Sequence, residues 1–266
     1  MFRKSAGLLS TATAVLFGAS MAAATEPTII IFDTSGSMWG QIDGKTKLEI
    51  ARESLGEVMQ SAAEDRELGL VAYGHRRKGR CEDIQLVIPV GTGTIHDITE
   101  SANKLTPLGK TPLSASVRTA AEALNYTEQR ATVILLTDGL ETCDADPCAA
   151  GTELQEAGTD FTAHVVGFGL TDEQGAQVAC LAENTGGKYV QAKDATELVS
   201  ALTETVITLA KKKEDERAAI RPFLDANLKA VLTLADGGES VGDSAVEWTL
   251  ARLDDEGVPQ ERETSF

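Results

Sequence analysis

Residues 29–40, "IIIFDTSGSMWG", run from a wholly apolar stretch directly into a cluster of small oxygen-bearing side chains. The isoleucines demand burial, and a strand apolar on both faces belongs inside a covered sheet. Asp33, Ser35 and Ser37 then follow at every second position, with Gly36 between the serines. Alternate residues of an extended segment point the same way, so one carboxylate and two hydroxyls are delivered together. Gly36 allows a tight turn between the serines.

Strand and helix patterns alternate outward from this stretch, from Thr28 to about Lys211. Strands are expected at 28–32, 67–74, 84–90, 131–139, 161–169 and 188–191. Helical spacing appears in "TKLEIARESLGEVMQSA", where Leu48, Ala51, Leu55, Val58, Met59 and Ala62 form one stripe. Thr46 and Glu49 make a capping box there. Further helices are expected at 94–104, from Pro112 with Thr111 as N-cap, from Pro147 to about Ala157, at 172–184, and from Ala195. Continuous apolar strands separated by helices specify an α/β fold, a doubly wound, Rossmann-like, mostly parallel six-stranded sheet with helices on both faces. Ligands bind such sheets at the carboxyl ends of the strands, near the point where strand order reverses.

After Arg217 the pattern changes. "ANLKAVLTLADGGESVGDSAVEWTLARLDDEG" alternates apolar and polar residues around a Gly-rich turn. The expected division is therefore a leader at 1–24, an α/β domain at 26–210, a charged helix end and linker at 211–227, and a short β segment at 228–266. An isolated hairpin is marginal in water, so that segment either packs on the α/β domain or, the preferred reading, starts a β-sandwich that these residues do not complete.

The chain has 266 residues and a formal net charge of −17, which disfavours nucleic acid as a partner. Arg3 and Lys4, the apolar run 6–17 and the small residues of "MAAAT" read as a secretory signal, with cleavage after Ala24. The run is too short and too rich in Ser, Thr and Gly for a transmembrane anchor. A periplasmic or secreted bacterial location follows. Cys81, Cys143, Cys148 and Cys180 suit disulfides in that setting. A local Cys143–Cys148 bridge is easy within "ETCDADPCAA", leaving Cys81 for Cys180. That second pairing is strained by topology, since Cα atoms must come within about 7 Å. Zinc is the rival use of the cysteines, but neither they nor His75, His96 and His164 show ligand spacing.

Three loops carry oxygen donors: Asp33, Ser35 and Ser37 after the first strand, Thr111 before a helix, and Asp138 at the end of "LLTDG". Each has an ordinary use, as turn residues, a helix cap and a strand-ending turn. If the first strand and 131–137 are neighbours, the five converge. Hydroxyls and carboxylates without sulfur or imidazole suit Mg2+, with Mn2+ or Ca2+ as alternatives. Only two carboxylates lie in the set, with neutral hydroxyls for the rest, and a coordination position stays free for an outside carboxylate.

In order and surroundings, Asp33-x-Ser35-x-Ser37, Thr111 within "KTPL" and Asp138–Gly139 resemble the metal-ion-dependent adhesion site of the von Willebrand factor A domain. The resemblance spans roughly Glu26 to Ala210, and "YGHR", "TDGLETC" and "ACLAENTGG" further resemble exported bacterial members. It implies Ser35, Ser37 and Thr111 as direct metal ligands, Asp33 and Asp138 acting often through water, and a protein partner supplying an Asp or Glu carboxylate.

The basic loop "HRRKGR" follows the 67–74 strand, so His75, Arg76 and Arg77 are expected to rim the same edge and steer an anionic partner. Its ordinary use is a solvated hairpin tip. The expected function is non-enzymatic protein binding in adhesion or envelope assembly. A Mg2+-dependent phosphohydrolase with Asp33 as nucleophile is the alternative, although Ser35 stands where such enzymes usually carry a second aspartate. In a third reading the chain is the metal-bearing part of a larger envelope assembly.

Overall fold

The structure is a computed structural model that describes residues 26–209, together with 252–253 and 259–260. The chain divides after Asp215 into two units. The first contains strands β1 (Thr28–Asp33), β2 (Gln41–Ile42), β3 (Lys45–Thr46), β4 (Leu68–Tyr73), β5 (Ile84–Gly91), β6 (Ala131–Thr137), β7 (Phe161–Phe168) and β8 (Tyr189–Ala192). Its helices are α1 (Lys47–Ser61), α2 (Ile95–Lys104), α3 (Leu113–Ala123), α4 (Pro147–Ala157), α5 (Asp172–Glu183) and α6 (Ala195–Leu202), the last continuing as π-helical turns over Thr203–Thr208.

Six strands form one sheet in the order β5-β4-β1-β6-β7-β8, parallel except for the edge strand β5. The expected mostly parallel six-stranded architecture is therefore present. The chain leaves β1 toward β4 and β5 on one side, and later returns through β6 to β7 and β8 on the other. The order reverses between β1 and β6, which places a crevice at their carboxyl ends.

Period-two alternation in β1 feeds two cores. Ile30 and Phe32 face the layer of α1, α2 and α6, with Leu55, Ile98 and Leu198. Ile29 and Ile31 face the layer of α3, α4 and α5, with Val117, Leu154 and Leu181. Each such side chain, fully buried, contributes roughly 1.5–3 kcal/mol. The rigidity of β1 follows, and with it the fixed position of its last residue, Asp33.

The Thr46–Glu49 capping box forms as expected at the start of α1. The small β2–β3 ribbon was not anticipated from the hydrophobic pattern. Its turn has Asp43 and Gly44 at φ 52° and 82°, the conformation that suits an Asp-Gly hairpin. In the second unit, β9 (Arg252–Leu253) pairs antiparallel with β10 (Pro259–Gln260). The rest of the expected β segment lies outside the described residues, as does the leader.

The cysteine pairing corrects the expected one. Cys81 joins Cys143 with Cα atoms 5.7 Å apart, and Cys148 joins Cys180 at 5.1 Å. The reason is local. Asp146 caps α4, its carboxylate accepting from the amides of Cys148 and Ala149, so Cys148 is fixed in the first helical turn. There Asn184, at the end of α5, donates to the Cys148 carbonyl at 2.9 Å and Cys180 is in reach. Cys143 stays in the preceding loop and meets the basic loop instead.

Candidate metal centre

Asp33 ends β1 with its side chain buried, and both oxygens are engaged. Oδ1 accepts the Ser35 amide at 2.7 Å. Oδ2 accepts the Thr137 hydroxyl at 2.9 Å and the Asp138 amide at 3.2 Å. Thr137 is itself held by hydrogen bonds from the Tyr73 hydroxyl and the Gly139 amide. Asp33 thus ties the end of β1 to the end of β6.

The following segment turns outward as a short 3-10 turn at Gly36–Trp39. Met38 plugs the turn into the core while Ser37 faces solvent. Ser35 Oγ lies 2.8 Å from Ser37 Oγ, and Ser37 donates to Asp138 Oδ1 at 2.5 Å. The directional chain is therefore Ser35 to Ser37 to Asp138. The other oxygen of Asp138, Oδ2, is paired with Lys47 Nζ at 3.0 Å. Burial and then the neighbouring Asp33 charge raise the Asp138 carboxyl to about 6, against the Ser37 hydrogen bond and the Lys47 ammonium.

Thr111 is not the N-cap of α3, which corrects the expectation. Pro112 occupies that position with ψ 70°, and the helix begins at Leu113. The Ser114 amide is satisfied instead by Glu141 Oε2 at 2.9 Å, while Glu141 Oε1 accepts the Cys143 amide at 2.8 Å. Thr111 is held by its backbone, its amide donating to Thr142 Oγ1 at 2.8 Å and its carbonyl accepting from the Thr142 amide at 3.1 Å. Its hydroxyl is left for other use. A Cβ added to Gly139 would sit 3.6 Å from Ser37 Oγ and 3.7 Å from Thr111 Oγ1. Glycine thus keeps a side chain out of contact with both hydroxyls.

The five expected residues therefore come to one sheet edge. Asp33, Ser35, Ser37 and Asp138 form one hydrogen-bonded group, and the hydroxyls of Thr111 and Ser37 both lie close to Gly139. The donors are hydroxyl and carboxylate oxygens without sulfur or imidazole, a set whose chemistry fits a hard divalent cation.

The basic loop also reaches this edge. The amides of Leu108 and Gly109, just before Thr111, donate to the Gly74 carbonyl, and Cys81 is bonded to Cys143 beyond Asp138. Its positive charge is partly committed. Buried Asp83 accepts the Arg76 and Arg77 amides at 2.7 and 2.8 Å and the Arg76 guanidinium at 2.9 Å. Arg80 pairs with Glu82. Burial pushes the His75 imidazole below its ordinary value, against a hydrogen bond with Gln85. His164 serves the sheet, its Nδ1 accepting the Lys188 amide at 3.0 Å. Trp39 is 54% exposed beside the serines, its indole N–H donating to the Pro107 carbonyl at 3.0 Å.

Three participants were missed in the sequence. Thr137 hides in an apolar strand, Glu141 acts on a helix that starts 28 residues before it, and Lys47 opens an amphipathic helix. The last carried a signal, because a cation in the first turn opposes the helix dipole.

Residues 28–141 match the family model for the von Willebrand factor type A domain. YwmC of Bacillus subtilis (strain 168) is 27% identical over 214 residues, covering 77% of this chain and 93% of that protein. The solved structure of BatB from Bacteroides thetaiotaomicron is similar at a TM-score of 0.55 and 18% identity, over 70% of this chain and 99% of that one. Proximal thread matrix protein 1 of the mussel byssus, solved with a zinc-occupied MIDAS motif, is similar at a TM-score of 0.53 and 19% identity, over 70% of this chain and 48% of that one. At these identities the solved structures speak for the fold alone. The match to the von Willebrand factor type A domain model thus covers the part of the chain that runs from β1 through β6 to the loop after Asp138, and the solved structures share its fold.

Proposed function

We propose that this chain is an exported, non-enzymatic binding module that uses a divalent cation at the β1–β6 edge to bind a carboxylate of a protein partner. Ser35, Ser37 and Thr111 would hold the cation directly, with Asp33 and Asp138 behind them through water. Mg2+ suits the donors best, and Mn2+ or Ca2+ are compatible. Once bound, such an ion offers positive charge and a free coordination position to an Asp or Glu of the partner.

One observation carries this function: two serine hydroxyls are lined up on a buried carboxylate, beside a second carboxylate already fixed by three donors. Asp33 with both oxygens engaged suits a positioning group and speaks against an attacking nucleophile. The zinc-occupied motif of the mussel thread protein supports metal use on the same fold. Two disulfides suit an oxidising compartment, and among the described residues no helix is long and apolar enough to cross a membrane. The segment 1–24 would be the export signal. Exposed Arg77 and Lys78 would provide partner steering, since Arg76 is committed to Asp83.

The test is capture of a protein from envelope extract on the immobilised mature chain, with Mg2+ against chelator and Asp33→Ala as control. Capture should require both Mg2+ and Asp33. Equal capture in chelator would reject the metal bridge, and turnover of simple phosphate esters would reject the non-enzymatic assignment.

A further inference from the structure

Lys47 reaches the site from an unfavourable position. It is the first residue of α1, where the helix dipole disfavours a cation. Yet its side chain is only 16% exposed, and its ammonium lies 3.0 Å from an Asp138 carboxylate with no side-chain exposure. Its passage is cleared by two glycines. A Cβ on Gly169 would lie 3.0 Å from Lys47 Cε and 3.2 Å from Nζ, and one on Gly40 would lie 3.6 Å from Cε. The Lys47 amide also donates to the Gly40 carbonyl at 2.7 Å, which fixes the start of the helix beside the serine turn.

The carboxylate of Asp138 is thus shared: Ser37 takes Oδ1 and Lys47 takes Oδ2. We propose that Lys47 is a resident counter-cation, which weakens the site for a free divalent cation and leaves the loaded site positive for an anionic partner. The inference rests on the metal-site function above. Its logic is charge. Asp33 and Asp138 alone would neutralise a divalent ion, whereas with Lys47 present the loaded site keeps one net positive charge. A partner carboxylate then completes neutrality, so cation and partner favour each other's binding, reciprocally. Without Lys47 the cation would bind tightly alone and gain less from the partner.

The test is Mn2+ titration of the mature chain followed by the electron paramagnetic resonance of free Mn2+, with Mg2+ in competition and acetate as the carboxylate probe. Lys47→Met and Lys47→Gln should each bind Mn2+ about tenfold tighter or more, a change of about 1.4 kcal/mol. Lys47→Arg should stay near wild type. Acetate should strengthen Mn2+ binding more in wild type than in either neutral variant. Circular dichroism identifies a variant that does not fold, and the two neutral substitutions stand in for each other. Equal or weaker Mn2+ binding by the folded neutral variants would overturn the role of Lys47 while leaving the metal site intact. No Mn2+ binding by any chain, wild type included, would overturn the metal site itself and this inference with it.

Discussion

Cys81 is bonded to Cys143, so the basic loop after β4 and the loop after Asp138 are one cross-linked piece above the sheet edge. The two cysteines are 62 residues apart in sequence, and closing so long a loop constrains the unfolded chain strongly. The double substitution Cys81→Ser, Cys143→Ser should therefore lower stability by about 2–4 kcal/mol. Urea unfolding of the two chains measures the difference. Non-reducing peptide mapping should recover Cys81 with Cys143 and Cys148 with Cys180. Recovery of a Cys143–Cys148 peptide would contradict the fold around α4.

The groups behind the proposed ligands set how well those ligands are held. Thr137 donates to Asp33 Oδ2 and accepts from Tyr73 and Gly139, so its hydroxyl orients the carboxylate from within the sheet. Thr137→Val should weaken Mg2+ binding by about 10–100-fold, the usual effect of losing such a partner. Asp33→Asn should weaken it at least as much, because it also removes charge. Calorimetric titration with Mg2+ decides, and an unchanged affinity in Thr137→Val would remove that hydroxyl from the site.

Glu141 makes a separate connection. Its two oxygens hold the Ser114 amide at the start of α3 and the Cys143 amide in the disulfide-linked loop. Glu141→Ala leaves both amides without this partner, and a lost helix cap alone costs about 1 kcal/mol. Thr111 lies directly before that helix, so Mg2+ affinity should fall together with the melting temperature. Glu141→Gln keeps one acceptor oxygen and should show the smaller loss of both. A fall in stability with unchanged Mg2+ affinity would confine Glu141 to a structural role.

The fold was legible because its strands carry continuous apolar runs, and "IIIFD" and "ATVILLTD" place their carboxylates at strand ends by period alone. The candidate site was legible because Asp33, Ser35 and Ser37 follow one another closely at a strand end, although a 3-10 turn over Gly36–Trp39, and not a continued extended segment, brings Ser37 to Asp138. What sequence spacing does not encode is which of two uses a residue serves. Thr111 before a proline reads as a cap, until Pro112 with ψ 70° and Glu141 from another loop take that role away. The cysteine pairing failed for the same reason. Nearness in sequence favours Cys143–Cys148, whereas the Asp146 cap holds Cys148 on α4 beside α5. The Asp43–Gly44 turn, by contrast, was a readable hairpin signal standing beside only two-residue strands.

Asp83 gives the fold a pH dependence that leaves the metal ligands aside. Burial opposes its ionisation, but the amides of Arg76 and Arg77 and the Arg76 guanidinium outweigh that and hold the carboxyl below its ordinary value. A group depressed in the folded state stabilises at pH above its unfolded value, about 3.9 for Asp. That stability is lost as pH falls through the folded value. At neutral pH the anchor is therefore intact, and Asp83→Asn should destabilise the chain by about 1–3 kcal/mol through donors left poorly satisfied. Urea unfolding of wild type and Asp83→Asn at a series of pH values tests the sign. The gap between them should be full at neutral pH, start to shrink below about pH 4 and close as pH falls through the lower folded value, where wild-type Asp83 also becomes uncharged. A gap that persists unchanged in acid would mean that the Asp83 charge does not hold the basic loop.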